Sequence, residues 1–227
     1  MKKLLTSGAV VLTMLTLAAC GSNSSDSGKG VDNMKSSKKA TESSSKKNSK
    51  ASLEVTNGAP EKINQWKYFE DFDADGTLVK IAKPTTKIAQ GKLSISINAI
   101  KIFAMKPKNT DAKKTAADYF GASGVTDPYY VLQVLWSVKN GDTKEIQTNG
   151  IKSLVVNGQQ YDMGSGLMDD GTGSAIAAGA SKSFEANTLL KSTNYKAIKQ
   201  FTLNIDNSAD TTSFEQIAPA VSTNLKL

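Results

Sequence analysis

YYVLQVLWSVKNGD, residues 129–142, alternates apolar and mixed side chains with the period of a β-strand. One face carries large side chains at every second position, namely Tyr130, Leu132, Val134, Trp136 and Val138. The other face is partly apolar, which is expected of a central strand with neighbours on both sides. Asn140-Gly141 then predicts a turn. The stretch therefore predicts a sheet protein with Val134 and Trp136 in its core.

Further strands are predicted on both sides of this stretch. In KLSISINAIKIFAMK, residues 92–106, the apolar series shifts by one residue, which predicts a β-bulge near Ala99-Ile100. Asn157-Gly158 lies between two short apolar runs and predicts a tight hairpin. Residues 198–206 alternate again, and a last extended run from 214 to 227, interrupted by Pro219, suits an edge strand.

One segment departs from the strand pattern. NTDAKKTAADYF, residues 109–120, begins with a capping residue and continues with good helix formers. Seven or eight short strands with one helical insertion are typical of an all-β fold, an immunoglobulin-like antiparallel β-sandwich. We expect this sandwich to be a single domain spanning residues 53–227.

The N-terminus has the layout of an export signal. Lys2 and Lys3 precede an uncharged, mostly apolar run that ends in Leu17-Ala18-Ala19-Cys20. These four residues resemble the lipobox of bacterial lipoproteins. The resemblance implies that residues 1–19 are a lipoprotein signal peptide, with Leu17, Ala18 and Ala19 recognised by the peptidase, and that Cys20 takes the lipid. The alternatives are a transmembrane helix and a plain secretory signal.

Residues 20–52 contain almost nothing that enters a core, and they predict a disordered, Ser/Lys-rich stalk behind the lipidated Cys20. The signal holds two of the 28 basic residues and the stalk holds seven, while the stalk also holds three of the 21 acidic ones. Residues 53–227 thus carry 19 basic and 18 acidic residues. A nearly neutral domain argues against nucleic acid as a partner.

The composition excludes several kinds of active site. The chain has no histidine, no arginine and one cysteine, so histidine-based triads, cysteine nucleophiles within the domain and the usual zinc sites are excluded. A pair of carboxylates acting on an envelope polymer stays open as an alternative. No catalytic residue is assigned, and we do not expect an enzyme.

EDFDADGTLVK, residues 70–80, matches the first half of a calcium loop. Asp71, Asp73 and Asp75 would supply carboxylates and Thr77 its carbonyl, but Ala82 stands where the loop needs a bidentate glutamate. The alternative is a polar turn between two strands with Asp75-Gly76 as its corner. We expect no cofactor beyond a weakly bound calcium ion.

A glycine-rich segment, GSGLMDDGTGSAIAAGASK, occupies residues 164–182. Its spacing does not fit a phosphate-binding loop, and it predicts a long flexible connection. Because loops often carry binding residues, Asp169 and Asp170 are candidates for a site.

The stretch from residue 129 to 163, together with GKLSISINAIKI at 91–102, resembles the immunoglobulin-like domain of Gram-positive extracellular lipoproteins of the immunoprotective extracellular type. The resemblance rests on Val138-Lys139-Asn140 and on the hairpin from Gly158 to Tyr161, and it covers residues 85–207. It implies a fold and a binding role at the cell surface, and it carries over no catalytic residue.

The expected function is therefore a lipid-anchored binding or interaction module on the outer face of the cell membrane, with an envelope or host surface partner. The alternatives are the envelope-polymer hydrolase and a calcium-stabilised adhesion module.

Overall fold

The computed structural model describes residues 53–191 and 193–227. The predicted signal peptide, the predicted lipidation site at Cys20 and the predicted stalk lie outside the described residues. The described chain is an antiparallel β-sandwich with one short helix, so the predicted fold class is confirmed. No helix in this part of the chain is long and apolar enough to cross a membrane.

The elements follow one another along the chain in this order: β1 (Trp66–Phe69), β2 (Ala74–Ala82), β3 (Lys87–Gln90), β4 (Leu93–Pro107), α1 (Thr110–Tyr119), β5 (Tyr129–Asn140), β6 (Ile146–Thr148), β7 (Ile151–Val156), β8 (Gln159–Met163), β9 (Gly166–Asp169), β10 (Ser174–Ile176), β11 (Ser181–Leu189), β12 (Gln200–Ile205), β13 (Ser208–Asp210), β14 (Gln216–Ala218) and β15 (Val221–Lys226). The 3₁₀ turn Glu70–Phe72 lies between β1 and β2, and the 3₁₀ turn Tyr195–Ala197 lies between β11 and β12.

The main sheet is one hydrogen-bonded path in the order β1-β2-β4-β5-β11-β9-β8-β7-β12-β15, with β3 also paired to β4. Its pairs are antiparallel except the short parallel contact between β8 and β9. Side chains from β4 and β5 share one apolar cluster with side chains from β7 and β12, so the two halves of the path pack face to face. Strands β10-β6-β13-β14 form a second, smaller sheet.

The long strands β4 and β5 form the centre of the core, as the alternation predicts. Four of the five predicted side chains of β5 are at most 1% exposed, and Tyr130 is half-buried. The bulge in β4 lies at Asn98, one residue before the predicted position, because the register with β5 shifts between Ile97 and Ala99. The extra residue returns Ile100 to the face that already carries Ile97.

Two local predictions are confirmed by backbone geometry. Asn157 and Gly158 both have positive φ, 49° and 76°, which is the type I′ turn that suits the twist of a hairpin. Helix α1 begins after Asn109, whose side chain accepts a hydrogen bond of 2.8 Å from the N–H of Ala112. The C-terminal run also behaves as predicted, since β15 forms an edge of the main sheet after Pro219.

Helix α1 covers the second face of the sheet. Ala116 and Phe120 pack there with Leu78, Phe103 and Tyr129 in a separate apolar cluster. Strands β2, β4 and β5 are therefore covered on both faces. This arrangement explains the mixed apolar pattern on the outer face of β5.

A buried cation was not anticipated. Lys101, in β4, is 0% exposed, and its ammonium donates to the carbonyl of Pro60 at 2.8 Å and to Glu61 Oε1 at 2.7 Å. Lys83 binds the other oxygen of Glu61 at 2.5 Å, and hydrogen bonds from Lys101 and Lys83 lower the pKa of Glu61. Lys101 thus attaches residues 60–61 to the sheet.

The prediction of a long flexible connection at 164–182 is wrong. The segment contains β9, β10 and the start of β11. Its glycines at 164, 166, 173 and 179 have positive φ, so the chain reverses sharply between short strands. Glycine content alone did not distinguish a series of tight turns from a loop.

Replacing Trp136 with Ala is expected to lower the free energy of unfolding by about 3–5 kcal/mol, because the side chain is fully buried between the two halves of the main sheet. Chemical denaturation measures the change. Lys139→Ala, at an exposed position of the same strand, is the control and should change it by less than about 0.5 kcal/mol. Equal effects of the two substitutions would contradict the assigned core.

Candidate functional site

The three aspartates of residues 70–80 serve separate structural roles. Asp73 ends the 3₁₀ turn with a left-handed backbone at φ 43°. Its carboxylate accepts hydrogen bonds from the Tyr68 hydroxyl at 2.8 Å and from the Asn109 amide at 3.0 Å. Asp75 lies in β2 and pairs with Lys108 at 2.6 Å, while Asp71 is exposed.

The predicted corner at Asp75-Gly76 is also wrong, because the chain reverses at Glu70–Asp73 and Gly76 lies within β2. A Cβ at Gly76 would stand 2.4 Å from a ring carbon of Phe69, so the glycine permits close packing rather than a turn. Thr77 is paired with residues of both neighbouring strands. Within residues 53–191 and 193–227, no group of three acidic, His or Cys side chains is placed to hold a metal ion.

Asp169 is a buried structural residue. One carboxylate oxygen accepts hydrogen bonds from the Trp136 indole N–H at 3.0 Å and from the N–H of Gly171 at 3.3 Å. The other accepts from the N–H of Ile151 at 2.8 Å and from the Thr172 hydroxyl at 3.3 Å. The carboxylate therefore connects β5, β7 and the turn after β9.

Burial raises the pKa of Asp169, and the hydrogen bonds from Ile151, Trp136 and Gly171 oppose that shift. A raised pKa is one property of a general acid, but both oxygens of this carboxylate are used inside the fold. Asp170 accepts a hydrogen bond from the N–H of Glu185 at 2.7 Å. Both aspartates and Glu185 line one depression of about 440 Å³. Each of these carboxylates already accepts hydrogen bonds from protein groups, Glu185 from the Asn187 amide at 2.6 Å, so this depression presents no free carboxylate pair for the hydrolase alternative.

A groove without acidic residues is a better candidate for a binding site than the aspartates of residues 70–80 or Asp169 and Asp170. Three adjoining depressions, of about 450, 210 and 150 Å³, all include Lys191 in their walls. We call them together the Lys191 groove. Its walls come from the loop 120–126 after α1, from the β7–β8 hairpin, and from residues 189–191 at the end of β11.

Two contacts with Tyr161 position Lys191. Its N–H donates to the Tyr161 hydroxyl at 3.0 Å, and its ammonium lies 5.9 Å from the centre of the Tyr161 ring. This distance is within the range of a cation–π contact. Every other described residue in the walls is uncharged, so the groove presents a single positive charge.

Tyr129 also lines the groove, in its largest depression. The side chain is only 2% exposed, and its hydroxyl has no hydrogen-bond partner among the described residues. Burial raises the pKa of Tyr129 to about 12, so the hydroxyl stays protonated and remains a donor at neutral pH. A buried polar group without a partner costs about 1–3 kcal/mol, which makes this hydroxyl an unusual feature of the core.

The sequence did not indicate this groove. Tyr129 is the first residue of β5, and its alternation with Val131 identifies only a strand face. Lys191 is one of many exposed lysines. The two residues come together because β11 pairs with β5, with Leu189 opposite Val131.

No protein-family model matches the chain, and no curated protein matches it. Among solved structures, a functionally unknown protein from Listeria monocytogenes is similar at 15% identity with a TM-score of 0.44, covering 67% of this chain and 87% of that one. A PapD-like domain of human CEP192 is similar at 9% identity with a TM-score of 0.32, covering 64% and 89%. At these values neither similarity bears on what this chain binds.

Millimolar calcium is expected to leave the melting temperature unchanged relative to excess chelator, because Asp73 and Asp75 are already bound to protein groups. Calorimetry of the full chain checks this. A calcium ion at 100 times its dissociation constant would add about 2.7 kcal/mol of stability, which is several degrees. A calcium-dependent rise of the melting temperature by that amount would support the prediction of a calcium loop at residues 70–80.

Asp169→Asn is expected to destabilise the fold by about 1–3 kcal/mol, because an amide NH₂ would face N–H donors and leave one of them unpaired. Chemical denaturation measures the loss. Asp162→Asn, at an exposed position of β8, is the control. An unchanged free energy of unfolding in Asp169→Asn would show that the carboxylate does not hold β5, β7 and β9 together.

Proposed function

We propose that this protein is a lipid-anchored binding module, displayed on the outer face of the cell membrane, whose Lys191 groove holds an anionic component of the cell envelope. The groove carries the proposal, because it places one cation, aromatic rings and apolar side chains together at the end of a rigid sandwich. Ligand sites commonly combine a mainly apolar wall with a few polar groups that orient the ligand.

The N-terminal sequence supports the location. Cys20 directly follows small residues after an apolar run, as in lipoprotein signals. One acyl chain gives only marginal membrane binding and two give stable binding, so a diacylated Cys20 would be a lasting anchor. A flexible stalk of 32 residues would have a root-mean-square reach of roughly 30 Å and would hold the domain away from the bilayer.

Sedimentation with isolated, membrane-free Gram-positive cell walls tests the binding role. The detergent-solubilised full chain should sediment with the walls, and Lys191→Glu should reduce the bound fraction because it reverses the charge of the groove. Lys152→Glu, at an exposed position of β7 outside the groove, makes the same charge change and should bind normally. Equal binding of the two variants, or no binding of the wild-type chain, would contradict the proposal.

Replacing Cys20 with Ser is expected to abolish incorporation of labelled palmitate and cleavage before residue 20, because the hydroxyl does not replace the thiol that takes the lipid. Metabolic labelling and gel mobility measure both. Ser24→Ala is the control and should be labelled and processed normally. A labelled Cys20→Ser protein would overturn the anchoring prediction.

A further inference from the structure

We propose that the ligand of the Lys191 groove is a small organic carboxylate with an apolar body, and that its binding provides the hydrogen-bond acceptor that the Tyr129 hydroxyl lacks. This inference rests on the proposed function and specifies the chemistry of the ligand. It follows from four properties of the groove: its charge, its free donors, the position of Tyr129 and its apolar walls.

The charge and the donors favour an anion. Lys191 forms no ion pair with another described residue, and no described carboxylate lines the groove. The backbone N–H groups of residues 123–125, which line the same depression as Lys191, donate to no group in the described chain. A carboxylate bound in this depression would meet donors of both kinds, and hydrogen bonds to charged groups are stronger than those between neutral groups.

Tyr129 explains why the groove would open for such a ligand. Its hydroxyl is buried in this structure, so a bound molecule reaches it only when the residues around it move. We assign this movement to residues 121–126, which line the same depression and of which four are exposed. The unpaired hydroxyl destabilises the closed arrangement, and a ligand that pairs with it shifts the equilibrium towards the open one.

The apolar walls indicate that the ligand has an apolar body as well as a carboxylate. Leu189, Leu190 and Val125 line the largest depression, which at about 450 Å³ lies within the usual range for small-molecule sites. These side chains favour an organic acid over inorganic phosphate, which has no apolar surface to bury.

Titration calorimetry on the detergent-solubilised full chain tests the proposal with three probes: N-acetyl-dialanine, its C-terminal amide, and inorganic phosphate. We expect the acid to bind and the amide and phosphate to bind at least about tenfold more weakly, because they lack the carboxylate or the apolar body. Lys191→Gln should weaken binding of the acid by about tenfold, and the control Lys152→Gln should not change it. Equal affinities for acid and amide, or no binding of the acid, would overturn the proposal.

Tyr129→Phe separates the role of the hydroxyl from that of the ring. The substitution keeps the packing, so we expect it to raise the melting temperature of the unliganded protein while weakening the binding of the acid. A lower melting temperature would show that the hydroxyl is already paired and would overturn its role. If wall binding depends on Lys191 but the acid does not bind, the ligand class is wrong and the proposed function stands.

Discussion

The carboxylate of Asp169 is the interaction on which the arrangement of the two sheet halves depends. It accepts hydrogen bonds from Trp136 in one half and from the backbone of Ile151 in the other. The low dielectric of the core strengthens these bonds and also makes an unpaired partner costly. Two glycines make room for it: a Cβ at Gly150 would lie 2.0 Å from the carboxylate, and a Cβ at Gly171 would lie 2.3 Å from the Trp136 ring. The position of β9 is thereby fixed relative to β5 and β7.

The candidate groove is a consequence of that arrangement. Strand β9 pairs with β11 on one side and with β8 on the other, so fixing β9 also fixes Tyr161 in β8 and Lys191 at the end of β11. The third wall comes from the loop after α1, which packs on the outer face of the same sheet. The groove therefore lies where three elements meet. A rigid sandwich can present such a site without further supporting structure.

The strongest sequence motifs for chemistry proved to be structural. Asp73 accepts from Tyr68 across the reversal between β1 and β2, whereas Asp75 pairs with Lys108 after β4, so the alternating aspartates do not act as one site. Asp169, considered as a loop residue, is instead buried. The features proposed for binding are less conspicuous in the sequence: Lys191, which forms no ion pair with a described residue, and Tyr129, whose hydroxyl has no hydrogen-bond partner among the described residues. Both become visible only from their surroundings.

The sequence by itself determined the long strands, the helix and the hairpin, because each depends on neighbours close in the chain, but it missed the short strands β9 and β10. Alternation identified β5 and β12, Asn109 capped α1, and Asn157-Gly158 set the type I′ turn. Only the tertiary structure decided the burial of Asp169 and Lys101, the separation of the aspartates, and the meeting of Tyr129 with Lys191. These outcomes depend on strand pairing and on partners distant in the chain, such as Leu189 opposite Val131. A local pattern predicts which face a side chain occupies, but it does not predict what packs against that face.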